Sequence, residues 1–173
     1  MTSMKHKRYL AAAVLDNDDN MWVLGGTANS KPAEGTEIFR YQPPPRTSRW
    51  RRGRPLPEDL RDSGLQSHCA VRLNRTHVFI AGGFANRRLS DLWHFDYESG
   101  SWTELNSAAI RDDWPLNGQS AILTQYGLLA YGGVAPYGPR DQGHDLWLLD
   151  LFGEDWVSVP IPQSLSVQDD QFK

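Results

Sequence analysis

A spaced repeat constrains this chain more than any other feature. A Gly-Gly pair occurs three times, at Gly25-Gly26, Gly82-Gly83 and Gly132-Gly133, at intervals of 57 and 50 residues. Each pair ends a strand-like apolar stretch: Met21–Leu24, His77–Ala81 and Leu128–Tyr131. Downstream of each stands a tryptophan, Trp50, Trp102 and Trp156. Asp91-Leu92-Trp93-His94-Phe95-Asp96 ends six residues before Trp102, and Asp145-Leu146-Trp147-Leu148-Leu149-Asp150 ends six before Trp156. The first copy is looser. Glu37–Gln42 ends eight residues before Trp50, and the extra two fall in the Pro43-Pro44-Pro45 turn. A further strand-like segment precedes each copy: Leu10–Leu15, His68–Leu73 and Gln119–Thr124.

Each copy therefore reads as four strands, a to d. Strand b ends at Gly-Gly, strand c is the Asp-Leu-Trp type, and strand d starts at the later Trp. Turn signals fall between them, at Asp16–Asn20, Asn74-Arg75 and Tyr126-Gly127 for a–b, and at Glu98-Ser99-Gly100 and Phe152-Gly153-Glu154 for c–d. A four-stranded antiparallel unit of about 50 residues is one propeller blade. The blades fall at residues 9–60, 61–110 and 111–162, with a polar tail at 163–173 that lacks periodicity and reads as disordered. Fifteen Gly, eleven Pro and seven Trp suit short strands and tight turns. Stacked blades bury both sheet faces, which explains strands that are apolar on both sides. Paired glycines allow positive φ and close backbone approach, and a Trp heading strand d supplies an apolar wedge between neighbours.

This pattern resembles the kelch repeat, over residues 9 to about 160. Arg61 and Arg111 precede strand a of the second and third units and are similar to the Arg often found there in the family. His68 matches the family's Gly-His position, with Ser67 in place of Gly. Gln119 replaces the His in the third unit, and the first unit lacks the motif. The resemblance implies an all-β fold, a partial kelch β-propeller of about three four-stranded antiparallel blades. It implies a protein–protein interaction module, a scaffold or substrate-recognition element. The chain has no BTB-like or F-box-like helical segment, so a ubiquitin-ligase role needs another domain or chain. The alternative the family offers is a carbohydrate-active propeller enzyme, similar to galactose oxidase or a sialic-acid epimerase.

Three blades do not close a ring; the family's propellers usually have five to seven. An open array exposes two apolar blade faces. The chain is then a fragment of a longer propeller, a non-functional remnant included, or it closes by homodimerisation into six blades, or it associates with other blades. Residues 1–61 carry 11 Lys/Arg and 7 Asp/Glu, net +4, whereas residues 62–173 carry 7 and 14, net −7. Opposed halves favour a head-to-tail pair. The basic cluster Arg46, Arg49, Arg51, Arg52 and Arg54 reads as a solvated edge.

Binding is expected on the variable loops of a repeated scaffold. The b–c loops, Thr27–Thr36, Phe84–Ser90 and Val134–His144, differ in length and composition while the strands around them repeat. They share one propeller face with the d–a loops. The partner-binding candidates are Arg61, Phe84, Asn86, Arg87, Arg88, Arg111, Tyr137, Arg140, Asp141 and His144, rich in the Arg and aromatic residues that dominate hot spots.

The remaining signals exclude more than they assign. The five histidines show no ligand spacing, and the single Cys69 rules out an internal disulfide and multi-cysteine metal sites. No metal or cofactor is expected, and no enzymatic activity. His68 and Cys69 are adjacent in a strand and point to opposite faces, so they do not form a catalytic pair. Asp18-Asp19 and Asp112-Asp113 read as solvated turns. No apolar run approaches the ~18 residues of a membrane span, and the net charge of −3 gives no nucleic-acid footprint. The basic N-terminus lacks a signal-peptide core, which with one cysteine favours the cytoplasm, or an extracellular place if the N-terminus is incomplete. One sequon, Asn74-Arg75-Thr76, would be a glycan acceptor on the secretory route; Asn also simply suits this turn.

Overall fold

The chain's short apolar runs, broken by Asx and glycine turns, fold into three antiparallel sheets of four strands. The computed structural model describes residues 7–28, 31–32, 35–40, 45, 47–63, 65–85, 87–88, 92–105, 117–133, 146–150 and 155–159. The first unit runs through β1 (Ala12–Leu15), β2 (Asn20–Leu24), the two-residue strands β3 (Thr27–Ala28) and β4 (Lys31–Pro32), then β5 (Gly35–Arg40) and β6 (Arg49–Pro55). A six-residue helix, α1 (Glu58–Ser63), leads to the second unit. This holds β7 (Cys69–Arg72), β8 (His77–Ala81), the short β9 (Phe84–Ala85) and β10 (Arg87–Arg88), β11 (Leu92–Asp96) and β12 (Trp102–Leu105). The third holds β13 (Ser120–Thr124), β14 (Gly127–Tyr131), β15 (Leu146–Asp150) and β16 (Asp155–Val159).

Each sheet is a meander in chain order: β1-β2-β5-β6, β7-β8-β11-β12 and β13-β14-β15-β16. This is the a–b–c–d blade expected from the repeat, and the fold is all-β, a partial propeller of three blades. Carboxylates and amides set the hairpins. Asp16 accepts from the Asp18 and Asn20 amides at 2.9 Å and from the Trp22 indole at 2.7 Å. Burial opposes ionisation of Asp16, but these bonds outweigh it and hold its carboxyl below the ordinary value. Asn74 accepts from the Thr76 and His77 amides at 2.9 Å, and Asp96 from the Glu98 amide at 2.8 Å. These side chains replace the backbone partners that a tight turn removes. A bulge between Gly35 and Glu37 is closed by Thr36, whose buried hydroxyl accepts from the Arg54 amide at 2.6 Å.

Packing follows the period of two. In the second blade Val78, Ile80, Trp93 and Phe95 face the first, joining Trp22, Leu24 and the connecting Leu56, Leu60 and Leu65 in one buried cluster. Their alternates Phe79, Ala81 and Leu92, with Cys69 and Val71, face the third blade and meet Leu128, Ala130, Trp147 and Leu149. The middle sheet is therefore covered on both faces, as stacked blades require. Trp102 acts as the expected wedge: it packs on Phe95 at 4.7 Å between ring centroids and donates to the Pro55 carbonyl of the first blade at 3.1 Å. Trp50 is half-buried, and the Trp156 side chain lies outside the described residues.

Backbone hydrogen bonds tie the blades at the Gly-Gly end. The Ser67 amide donates to Leu10 C=O, and the Gly118 amide donates to Ser67 C=O, each at 2.9 Å. Leu10, Ser67 and Gly118 hold the same place before strand a, and all three have positive φ, at 57°, 54° and 79°. A second tie runs from the Gly26 amide to Leu65 C=O at 2.7 Å. The Gly-Gly pairs make this approach possible. Both members of every pair have positive φ, and a Cβ on Gly83 would lie 2.7 Å from Gln66 O and 2.9 Å from His68 Cβ. At the blade 2–3 junction the buried Gln119 donates to Ala81 C=O at 3.1 Å. At the blade 1–2 junction the equivalent residue is His68, equally buried, and neither ring nitrogen has a partner among the described residues.

Two expected outcomes follow from this geometry. Gly83→Ala meets backbone at a close approach and adopts a φ of 106°, whereas Gly118→Ala, at a φ of 79°, meets nothing within 4 Å. Thermal melts are therefore expected to show Gly118→Ala costing about 1 kcal/mol from backbone alone and Gly83→Ala costing roughly 2–4 kcal/mol; equal losses would contradict the close approach. The second concerns acid. Burial pushes His68 down from 6.5 to about 4, so the unfolded chain binds this proton first. Its contribution is complete above pH 6.5 and is lost as pH falls towards 4, to a total of roughly 3 kcal/mol. His68→Gln restores the bond that Gln119 makes in the next junction. It is expected to raise the melting temperature at pH 7 by about 2–4 °C and to flatten the decline between pH 6.5 and 4. An unchanged acid slope would remove His68 as its cause.

Candidate functional site

The candidate site is the face at the Gly-Gly end, and the backbone assembles it. Tyr9, just before strand a, exchanges backbone bonds with Thr27, just after strand b, at 3.0 and 3.1 Å. Gln66 and Phe84 repeat this exchange in the second blade at 2.8 and 3.0 Å. The entry to each blade and its b–c connection are thus joined at one end. The Thr27 hydroxyl donates to the Gln66 side chain at 2.5 Å and links the two blades across that end.

Helix α1 completes the face. Leu56, two residues before α1, and Leu60 within it are buried against the blade 1–2 cluster with Leu65. Pro57 opens the turn and accepts from the Arg61 amide at 2.8 Å. Glu58 and Asp59 lead the helix and Arg61 stands in its last turn, as the helix dipole favours, while Asp62 after it does not. The helix lies against β4 of the first blade and β9 of the second. The connections that the sequence reads as loops thus contain a helix and two short ribbons, β3–β4 and β9–β10. The helix forms because Leu56, Leu60 and Leu65 fill the space between two blades. The ribbons form because their strands pair over only two residues each.

The sequence-derived candidates divide as follows. Arg61 is exposed on α1, and Phe84 is half-buried on β9, so the structure brings these two to one face. Arg87 and Arg88 form β10, opposite Ala85 and Phe84 in register. Asn86, Arg111, Tyr137, Arg140, Asp141 and His144 lie outside the described residues. Asn74 is exposed in the a–b turn, at the other end of the blades from Phe84. The tail at 163–173 also lies outside the described residues.

Sequence reasoning placed Thr27 in a b–c loop of this face but missed Tyr9 and Gln66. The signal was present in their spacing, since Tyr9 and Gln66 each stand three residues before strand a. Arg49, Arg51, Arg52 and Arg54 are exposed on β6, the edge strand of the first sheet. Charges on such an edge discourage strand addition by other chains.

The titratable residues near this end are architectural. Cys69 is buried against the third blade, and burial pushes its thiol up to about 11, so it stays protonated and weakly nucleophilic. His68 sits on the opposite side, its ring against Gly25 of the first blade. The pair is divided by the sheet, as the strand period requires. Among the described residues no three His, Cys, Asp or Glu side chains converge as a metal site. No helix among them is long and apolar enough to cross a membrane.

Comparison with known proteins agrees with this geometry. Residues 67–108, strands β7 to β12, match the Kelch motif. No curated protein matches the chain. A solved structure, described as the structure of YjhT, is similar in fold with a TM-score of 0.64 at 11% sequence identity. The likeness covers 90% of this chain and 52% of that one, so the chain spans about half the length of this neighbour. With a match to the Kelch motif in its middle sheet and three meanders stacked face to face, the chain resembles kelch-repeat proteins and has the fold of a partial β-propeller.

Proposed function

We propose that this chain is a protein-interaction module that captures its partner on the Gly-Gly face, without catalysing a reaction. One observation carries the reading: α1, with Arg61 exposed, lies between the b–c ribbons of two adjacent blades, beside Phe84. A rigid stack of sheets holds a variable, Arg- and aromatic-bearing surface at one end. In this reading Arg61 and Phe84 supply the described part of the contact, and Arg87 and Arg88 join it from β10. Asn86, Arg111, Tyr137, Arg140, Asp141 and His144, outside the described residues, enter the reading from the sequence alone. The partner is a protein with a complementary anionic and apolar patch. A scaffold and a substrate-recognition element both use such a surface.

The experiment uses a photo-crosslinking residue placed at position 84 and, as a control, at Arg75 in the opposite a–b turn. The expected result is a single protein adduct from position 84 and none from position 75. Arg61→Glu combined with Phe84→Ser is expected to weaken capture of that adduct about tenfold or more, while Arg75→Glu leaves it unchanged. Adducts from position 75 alone would contradict the reading. Copper-dependent oxidation of a sugar by the purified chain would establish the enzymatic alternative instead.

A further inference from the structure

His77 and His94 have no ligand spacing in the sequence, yet the second sheet brings them together. β8 and β11 pair with Phe79 opposite His94 and with His77 opposite Asp96. All four residues therefore share the sheet face that carries Phe79 towards the third blade. The two imidazoles are diagonal neighbours, 6.0 Å apart between ring centroids at an interplanar angle of 66°. Both are half-buried, at the end of the blade remote from the Gly-Gly pairs.

The turn before β8 sets the tautomer of His77. The Thr76 hydroxyl donates to Asn74 Oδ1 at 3.2 Å, so it accepts from His77 Nδ1 at 2.7 Å. Asn74 Oδ1, which only accepts, is a second neighbour of that nitrogen at 3.3 Å. This network assigns the hydrogen of neutral His77 to Nδ1 and leaves the lone pair on Nε2. A metal-ligating histidine is held in the same way, its other nitrogen donating to an oxygen. His94 packs on Phe79 at 5.6 Å between centroids, and neither of its ring nitrogens has a hydrogen-bond partner among the described residues. Burial, and then the neighbouring His77, hold His94 below the ordinary imidazole value, so it is neutral at pH 7. Asp96 adds negative charge beside the pair. It accepts from the Ser99 hydroxyl at 2.7 Å and from the Glu98 amide at 2.8 Å, and these bonds hold its carboxyl below the ordinary value. With its oxygens so engaged, Asp96 does not converge with the histidines as a third ligand.

We propose that His77 and His94 together bind a borderline divalent cation of the zinc class between β8 and β11. Neutral imidazole nitrogens suit zinc and copper, whereas calcium and magnesium take oxygen ligands. Two imidazoles on one zinc ion, each nitrogen about 2.1 Å from it, have centroids about 5 to 6 Å apart. The rings of His77 and His94 already stand at the upper end of that range. Water completes the coordination, and the Asp96 carboxylate supplies counter-charge. The ion clips the two central strands of the middle blade and stabilises the folded chain by mass action. Arg61 and Phe84 lie at the opposite end of the blades, so partner capture on the Gly-Gly face does not depend on this site.

Calorimetric titration of the purified chain with zinc chloride tests it. A single ion per chain is expected, with no binding of magnesium. His77→Gln and His94→Gln each remove one ligand, and each is expected to weaken zinc binding about tenfold or more. Thr76→Val removes the acceptor at Nδ1 of His77 and is expected to weaken it about tenfold, whereas His6→Gln leaves it unchanged. Zinc is expected to raise the melting temperature of the native chain and not that of His77→Gln or His94→Gln, whose melts without zinc show that they fold. Histidine ring resonances read by NMR need no variant: zinc is expected to shift those of His77 and His94 and not those of His6, His68 or His144. Absence of zinc binding would overturn the proposal. So would binding that survives either ligand substitution, or shifts confined to other histidines.

Discussion

Close backbone approach at the Gly-Gly pairs is the constraint on which the rest of this structure depends. The ties from Gly26 to Leu65, from Ser67 to Leu10 and from Gly118 to Ser67 cross from one blade to the next. Leu10, Ser67, Gly118 and Gly26 all run at positive φ there, and at Gly26 and Gly118 no Cβ stands in the way. Once they are set, the spacing of the blades is set too. The alternating apolar rows of β8 and β11 then meet their neighbours on both sides, and Trp102 closes the outer edge against Pro55. Hydrophobic burial supplies most of the stabilisation, but the glycines decide where it can happen.

The same ties place the candidate site. The segment before strand a and the segment after strand b are held together through Tyr9 and Thr27, and again through Gln66 and Phe84. Connections that differ between blades therefore emerge beside one another. Helix α1 sits among them because its Leu60, with Leu56 and Leu65 on either side of the helix, completes the blade 1–2 core, and its exposed side carries Arg61. The core and the proposed binding surface are two sides of one short segment.

Much of this was legible in the sequence. The Gly-Gly pairs, the Asp-Leu-Trp strands and the spaced Trp residues located the strands of all three sheets. They did so because strand period and blade stacking demand the same residue types at the same places. Helix α1 was not legible: six residues carry little periodicity, and its Leu60 is explained only by the space between two blades. The exchange at Tyr9 and Gln66 is made by backbone atoms and leaves no residue-type signature; only their common spacing before strand a marks it. His68 shows a third case. Sequence marks it as a variant of a repeated position. Only the structure shows Gln119 bonded across its junction at that position while His68 is buried without a partner among the described residues.

The blade-to-blade ties can be tested amide by amide. Native-state hydrogen exchange should show the Gly26, Ser67 and Gly118 amides protected as strongly as those at the centre of β8, since all open only when the stack opens. If those three exchanged at the rate of free loop amides while the strands stayed protected, the blades would be independent sheets, and the glycine ties would not set the stack.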